Sequence, residues 1–273
     1  MKKNHRFILR STMLAATAFF WCANAQSAIT CSLSSNGFSS AYVPANPGTN
    51  ITAASFTMMC TRASGDASSQ AYTVSVNNGQ NQNRAKSGTN FISYDLYTDN
   101  LCTALWKNKS IGGTVIFGTG LTASQDMSFW GCIPAGQTTA PAGTYVDTVT
   151  MNPSIGSIAS IPVSIVTPSS CTVTTPPGNI NFSYSGFQAT DASASTAFAA
   201  TCTSQLPYSL ALDATSGVLA GVSYTLSLSA TSNVGNGFAQ PYTINGTMAA
   251  GQSGACTTSG CSATQARTLT IIY

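Results

Sequence analysis

The feature that most constrains this chain is a pattern written twice. One half opens at Cys31-Ser-Leu and reaches Cys60-Thr; the other opens at Cys171-Thr-Val and reaches Cys202-Thr after a nearly equal interval. Later pieces keep their order. Tyr72-Thr-Val-Ser-Val is matched by Tyr208-Ser-Leu-Ala-Leu, and the run YDLYTDN from Tyr94 by YTLSLSATSN from Tyr224. Ala135-Gly136-Gln137 is matched by Ala250-Gly251-Gln252, and TYVDTVTM ending at Met151 by ARTLTIIY ending at Tyr273. Two copies of one unit account for this order most simply. Short β-branched runs alternate with Gly, Asn and Pro turns, Ser and Thr abound and Glu is absent. That composition predicts an all-β protein of two tandem sandwiches.

Between the copies lies Ser160 to Val166, SIPVSIV. Ile161, Val163 and Ile165 fall on one face of an extended segment and Pro162 and Ser164 on the other, the period-two pattern of a half-buried strand. Such a strand has to join a sheet. We expect it to close the first domain (residues 26–167), leaving the second (168–273) short of a strand.

The chain starts with Lys2, Lys3, Arg6 and Arg10, an apolar run from Met13 to Trp21 and then Ala23-Asn24-Ala25. This reads as an export signal over residues 1–25, with an apolar run too short to span a bilayer. The leader accounts for the basic pI: past it, six basic residues (Arg62, Arg84, Lys86, Lys107, Lys109, Arg267) face seven Asp. No basic face for nucleic acid remains. Eight cysteines follow the leader, and in an exported chain disulfides are the default. The repeat suggests Cys31 with Cys60 and Cys171 with Cys202 at equivalent positions, leaving Cys102 with Cys132 and Cys256 with Cys261 as local staples. Four cysteines per domain nevertheless allow three connectivities.

The residue inventory also bounds the chemistry. His5 lies in the leader and there is no Glu, so a Ser-His-Asp triad and His-based metal catalysis lack their parts. No CxxC metal pair, phosphate loop or dinucleotide fingerprint is present, and no cofactor is implied. Asp95 and Asp99 offer a carboxylate pair of the kind glycosidases need, though hydrogen bonding at a strand end explains them as well.

YDLYTDNLCTALWKN (Tyr94 to Asn108), FWGCIPAGQTTAPAGTYVDTVTM (Phe129 to Met151) and the closing TLTIIY resemble the spore coat protein U domain family, which includes subunits of archaic, Csu-type chaperone-usher pili. The second half lacks the YTD and PAGxYxD motifs and follows the pattern through its cysteines and terminal strand. The resemblance implies immunoglobulin-like sandwiches, the second lacking its last strand, arranged as in the two-domain tip adhesin of such pili. A neighbour fills the groove by β-augmentation, in which ladder hydrogen bonds hold the backbone and alternate side chains fill pockets. The implied partners are a periplasmic chaperone, an outer-membrane usher and an adjacent pilin subunit that donates a strand. Only Gln26 to Thr30 separate the leader from Cys31, too few to donate a strand, so the resemblance implies a position at the pilus tip, on the cell surface. It further implies that the chaperone pairs with Thr268, Thr270 and Ile272 and grips the carboxylate at Tyr273.

An apolar cluster on a glycine-rich connection is the candidate surface-binding loop: Trp106, Ile111, Val115, Ile116 and Phe117, with Leu121 and with Lys107 and Lys109 nearby. Such residues are either an extra strand packed on the core or an exposed patch that binds something. The family's tip adhesins attach through hydrophobic loop tips, so an abiotic or host surface is the implied target and biofilm formation the implied role. A sugar-binding module using Trp106 or Trp130, and a structural pilin or spore-coat-like subunit, are the competing readings.

Overall fold

A computed structural model describes residues 28–255 and 262–273. The leader and the Cys256–Cys261 pairing lie outside them. The first half contains β1 (Thr30–Ser35), β2 (Phe38–Ala41), β3 (Asn50–Thr61), β4 (Ser69–Val76), β5 (Arg84–Ser87), β6 (Asn90–Ser93), β7 (Asp95–Tyr97), β8 (Ile111–Ile116), β9 (Thr122–Ile133), β10 (Gly143–Pro153) and β11 (Ala159–Thr167). The second contains β12 (Cys171–Thr175), β13 (Ala192–Cys202), β14 (Pro207–Leu212), β15 (Ser216–Leu219), β16 (Val222–Leu228), β17 (Ser232–Val234), β18 (Ala239–Met248) and β19 (Leu269–Ile272).

Each half is an immunoglobulin-like sandwich with its own core. In the first, the sheet β1-β3-β9-β7 faces the sheet β2-β11-β10-β4-β8, to which the β5–β6 hairpin is attached through β10. In the second, β12-β13-β18-β16-β15 faces β17-β14-β19. The alternation in the sequence drives this: Phe56, Met58 and Cys60 on β3 and Tyr145, Val149 and Met151 on β10 all point inward and are buried. Phe198, Ala200 and Cys202 repeat the β3 set on β13.

β11 lies between β10 and β2. It pairs antiparallel with β10 from Gly143↔Thr167 to Met151↔Ala159, and parallel with β2 from Val163↔Phe38 to Val166↔Ala41. Ile161, Val163 and Ile165 are buried in the first core. At about 1.5–3 kcal/mol per side chain the burial of these three contributes at most about 9 kcal/mol.

The disulfides Cys31–Cys60 and Cys171–Cys202 join directly opposed residues of the first two long strands in each half, with Cα atoms 4.0 and 4.1 Å apart. Cys102–Cys132 ties the loop after β7 to β9, and its Cα atoms are 6.3 Å apart.

The repeat extends to single hydrogen bonds. Gln137 accepts from Ser93 N–H at 2.7 Å and donates to Ser93 O at 3.0 Å and Pro134 O at 3.2 Å, while its own N–H donates to Tyr42 Oη at 3.1 Å. Gln252 does the same with Ser223 N–H (2.7 Å), Ser223 O (3.0 Å), Ala249 O (3.0 Å) and Tyr184 Oη (2.9 Å). The preceding Gly136 and Gly251 take φ of 80° and 78°, which turns the chain so that each amide reaches back to the neighbouring strand. Gln137→Ala and Gln252→Ala should each cost about 1–2 kcal/mol, because each removes three side-chain hydrogen bonds to backbone. Calorimetry of the full chain should show each loss confined to the transition of its own domain.

Candidate functional site

The sheet edge carried by β19 is the first place where the two copies diverge. β19 pairs with β14 from Ser209↔Ile272 to Leu212↔Leu269, as β10 pairs with β4. On its other side β10 meets β11, whereas β19 has no ladder partner there among the described residues. The side chains beneath differ accordingly. Phe38 and Tyr42 are fully buried beside β11, while Ile180, Phe182 and Tyr184 are half-buried on a stretch that joins no ladder. These two sets are equivalent: a Cβ on Gly131 would lie 2.2 Å from the Phe38 ring, and one on Gly246 would lie 2.5 Å from that of Phe182. Leu269 and Ile271 on β19 are likewise half-buried, whereas Tyr145, Val149 and Met151 on β10 are covered.

Thr268, Thr270 and Ile272 face outward, and they and the final Tyr273 are exposed. The start of β19 is pinned. Asp213 N–H donates to Thr268 O at 3.0 Å, and Thr268 N–H returns a bond to Asp213 Oδ1 at 3.1 Å. Arg267 donates from Nε to Tyr224 Oη and from Nη2 to Ser216 O, both at 2.8 Å, and its Nη1 lies 3.8 Å from Asp213 Oδ2. The strand is thus fixed at its beginning and offers a backbone edge and half-covered apolar side chains beyond it.

The second place is the pole of the first domain opposite the exit to Cys171. β3 ends and β9 begins there (Thr61↔Thr122), β8 ends opposite the start of β4 (Ile116↔Ser69), and β10 turns into β11 (Met151↔Ala159). The candidate surface-binding loop requires correction here. Trp106 is fully buried, its ring centroid 5.4 Å from that of Phe56 and 5.1 Å from that of Phe129, and it donates from Nε1 to Val74 O at 2.9 Å. Ile111, Val115 and Phe117 are also core, because β8 pairs with β4 and turns alternate side chains inward. Of that set only Ile116 faces water, 72% exposed. Leu121 (51%) and Ile158 (69%) join it at this pole. Ile158, in the β10–β11 turn, falls on the Pro162 and Ser164 face of the β11 alternation, so the period-two pattern itself turns it outward. Burial of Trp106 also removes it from any sugar-stacking role, and Trp130 is half-buried on β9.

The carboxylates are occupied by structure. Asp95 forms an ion pair with Lys107 at 2.9 Å and accepts from Asn83 Nδ2, beside a polar cleft of about 300 Å³ that Arg84 and Tyr94 also line. Asp99 accepts from the N–H groups of Leu101 (2.9 Å), Thr103 (3.1 Å) and Ala104 (2.6 Å). Desolvation pushes its carboxyl upward, but the backbone donors prevail and hold it below the usual carboxylate value. Asp147 is buried and pairs with no cation among the described residues, accepting from the N–H groups of Gln80, Asn81 and Thr148 and from Tyr94 Oη at 2.8 Å. Burial and this bond raise the Tyr94 phenol above its ordinary value, so it stays a donor.

A family model for the Spore Coat Protein U domain matches residues 17–152 and again 157–271. Among solved structures, the chain is similar to the CsuC–CsuE chaperone–tip adhesion subunit pre-assembly complex from the archaic chaperone-usher Csu pili of Acinetobacter baumannii. The identity is 13%, the coverage 89% of this chain and 100% of that one, and the TM-score 0.51, a likeness of fold. The CupB6 tip adhesin of Pseudomonas aeruginosa matches at 13% identity over 82% of this chain and 89% of its own, with TM-score 0.37. No curated protein matches the sequence.

Proposed function

Since this chain belongs to the Spore Coat Protein U domain family, matched in both halves, we propose that it is the tip subunit of a chaperone-usher pilus. In this reading the first domain is completed by the chain's own β11. The second is completed by others: a periplasmic chaperone first, and after passage through the outer-membrane usher the donated strand of the adjacent pilin. The carrying observation is that β10 is flanked by β11 on the side where β19 has no ladder partner among the described residues. A strand laid along β19 would find ladder groups on its inner edge and, through alternate side chains, cover Phe182, Tyr184 and Ile271, which is how β-augmentation yields both affinity and register.

The distal pole would then meet an abiotic or host surface, supporting attachment and biofilm formation. Ile116, Leu121 and Ile158 supply exposed apolar area there. Charge is sparse in this chain, and release of water from apolar surface is non-directional, so such a pole suits varied substrata. Deleting residues 269–273 should abolish capture by the chaperone and incorporation into pili, because the edge that receives the partner strand is removed. Undiminished co-purification with the chaperone would overturn the open-edge reading. Ile116→Ser, Leu121→Ser and Ile158→Ser together should lower attachment severalfold at an unchanged amount of pili, measured by adhesion to plastic alongside electron microscopy.

A further inference from the structure

We infer that Arg62 is the positioning residue of the distal pole, a side chain that lets this surface give up its water. The inference rests on the tip reading above. Arg62 follows β3 directly, and its guanidinium reaches both loops of the pole. Nε donates to Gly120 O at 3.0 Å and Nη2 to Gly118 O at 3.1 Å, while Nη1 donates to Asp66 O at 3.0 Å and Ala67 O at 3.2 Å. Its backbone N–H donates to Leu121 O at 2.8 Å, and its guanidinium carbon stands 5.2 Å from the centre of the Phe117 ring. The loop from Ala63 to Ser68 is closed further by Ala63 N–H on Asp66 Oδ2 at 2.7 Å and by Phe117 N–H on Ser68 O at 2.9 Å.

The chemistry of a dry contact explains why this arrangement matters. Glycine-rich loops expose carbonyl oxygens, and pressing an unpartnered carbonyl against a substratum strips its water without replacement. Here the carbonyls of Asp66, Ala67, Gly118, Gly120 and Leu121 are satisfied from within. Ile116 and Leu121, which flank the second loop, are left outward. One planar fork serves two loops because its N–H groups diverge in a fixed geometry that a lysine ammonium lacks.

The test compares Arg62→Met, Arg62→Lys and the Ile116/Leu121/Ile158→Ser variant, each in the full chain assembled into pili. Hydrogen exchange of the purified chain and attachment to polystyrene are measured together. In both Arg62 variants, amides of residues 63–68 and 117–121 should exchange faster while those of β3 and β9 keep their protection, and attachment should fall severalfold at an equal number of pili. Wild-type exchange in Arg62→Met, or wild-type behaviour in Arg62→Lys, would overturn the role of the fork. If Arg62→Met attaches normally while the Ser variant does not, the inference fails and the tip reading stands. If the Ser variant attaches normally, the tip reading fails and the adhesive role of Arg62 falls with it.

Discussion

Val163→Asp is expected to unfold the first domain and leave the second folded. Val163 is buried in β11, directly opposite Asp147 on β10 and beside Phe38 on β2. The new carboxylate would enter a core that already holds one, and the donors around Asp147 come from Gln80, Asn81, Tyr94 and Thr148. A second carboxylate buried there, with no donor or cation of its own, carries a large desolvation cost. A loss above about 4 kcal/mol is expected, comparable to the whole stability of a small domain at roughly 5–15 kcal/mol. Val166→Asp, three residues on and facing outward, should stay within about 0.5 kcal/mol. Urea denaturation followed by the separate signals of the two domains decides the matter. Loss of the second domain's transition instead would mean that β11 belongs to the other half.

The second large effect is Trp106→Ala, which should cost about 3–5 kcal/mol. It empties the space between Phe56 and Phe129 and leaves Val74 O without its indole donor. Ile116→Ser, only ten residues away in sequence, should change the stability by no more than about 0.5 kcal/mol because its side chain already faces water. Chemical denaturation of both variants gives the contrast. A mild Trp106→Ala together with a severe Ile116→Ser would reverse the inside and outside of β8.

The contrast also explains what was legible. Duplication, strand character and cysteine spacing are local or short-range patterns, and they determine a tandem sandwich. The apolar run from Ile111 to Phe117 was harder, because glycine masks the alternation that places a strand. Ile111, Gly113, Val115 and Phe117 share one face, but Gly113 carries no side chain to mark it. The reason for that glycine is long-range: a Cβ there would lie 2.5 Å from Gln125 Oε1 and 2.7 Å from Tyr72 Oη. Nothing adjacent in sequence announces those neighbours.

The hydrogen bonds of Gln137 and Gln252 follow the same logic. The repeated Ala-Gly-Gln is visible as a motif, whereas its partners Ser93 and Tyr42 lie far away in the chain and are given only by the fold. At the distal pole, Arg62 was visible as a solitary cation after Cys60-Thr61, but its role depends on carbonyls more than fifty residues away, at Gly118 and Gly120. The half-buried Ile180, Phe182 and Tyr184 alternate in sequence like a strand. They join no ladder because the strand that would pair with them, as β11 pairs with β2, has no counterpart beside β19 among the described residues.

The placement of β11 has a mechanical consequence. A pull between the distal pole and Cys171 travels along the axis of this strand, since the chain leaves it at Thr167 and enters β12 a few residues later. The hydrogen bonds to β10 lie across that axis, and those to the parallel β2 run at a slant to it. Tension therefore loads them in shear, all rows sharing the force, where a hairpin tugged from one end would unzip row by row. The Cys171–Cys202 bond then passes the load covalently into β13. A domain closed this way resists sudden extension by the geometry of its attachment, whatever its stability at rest.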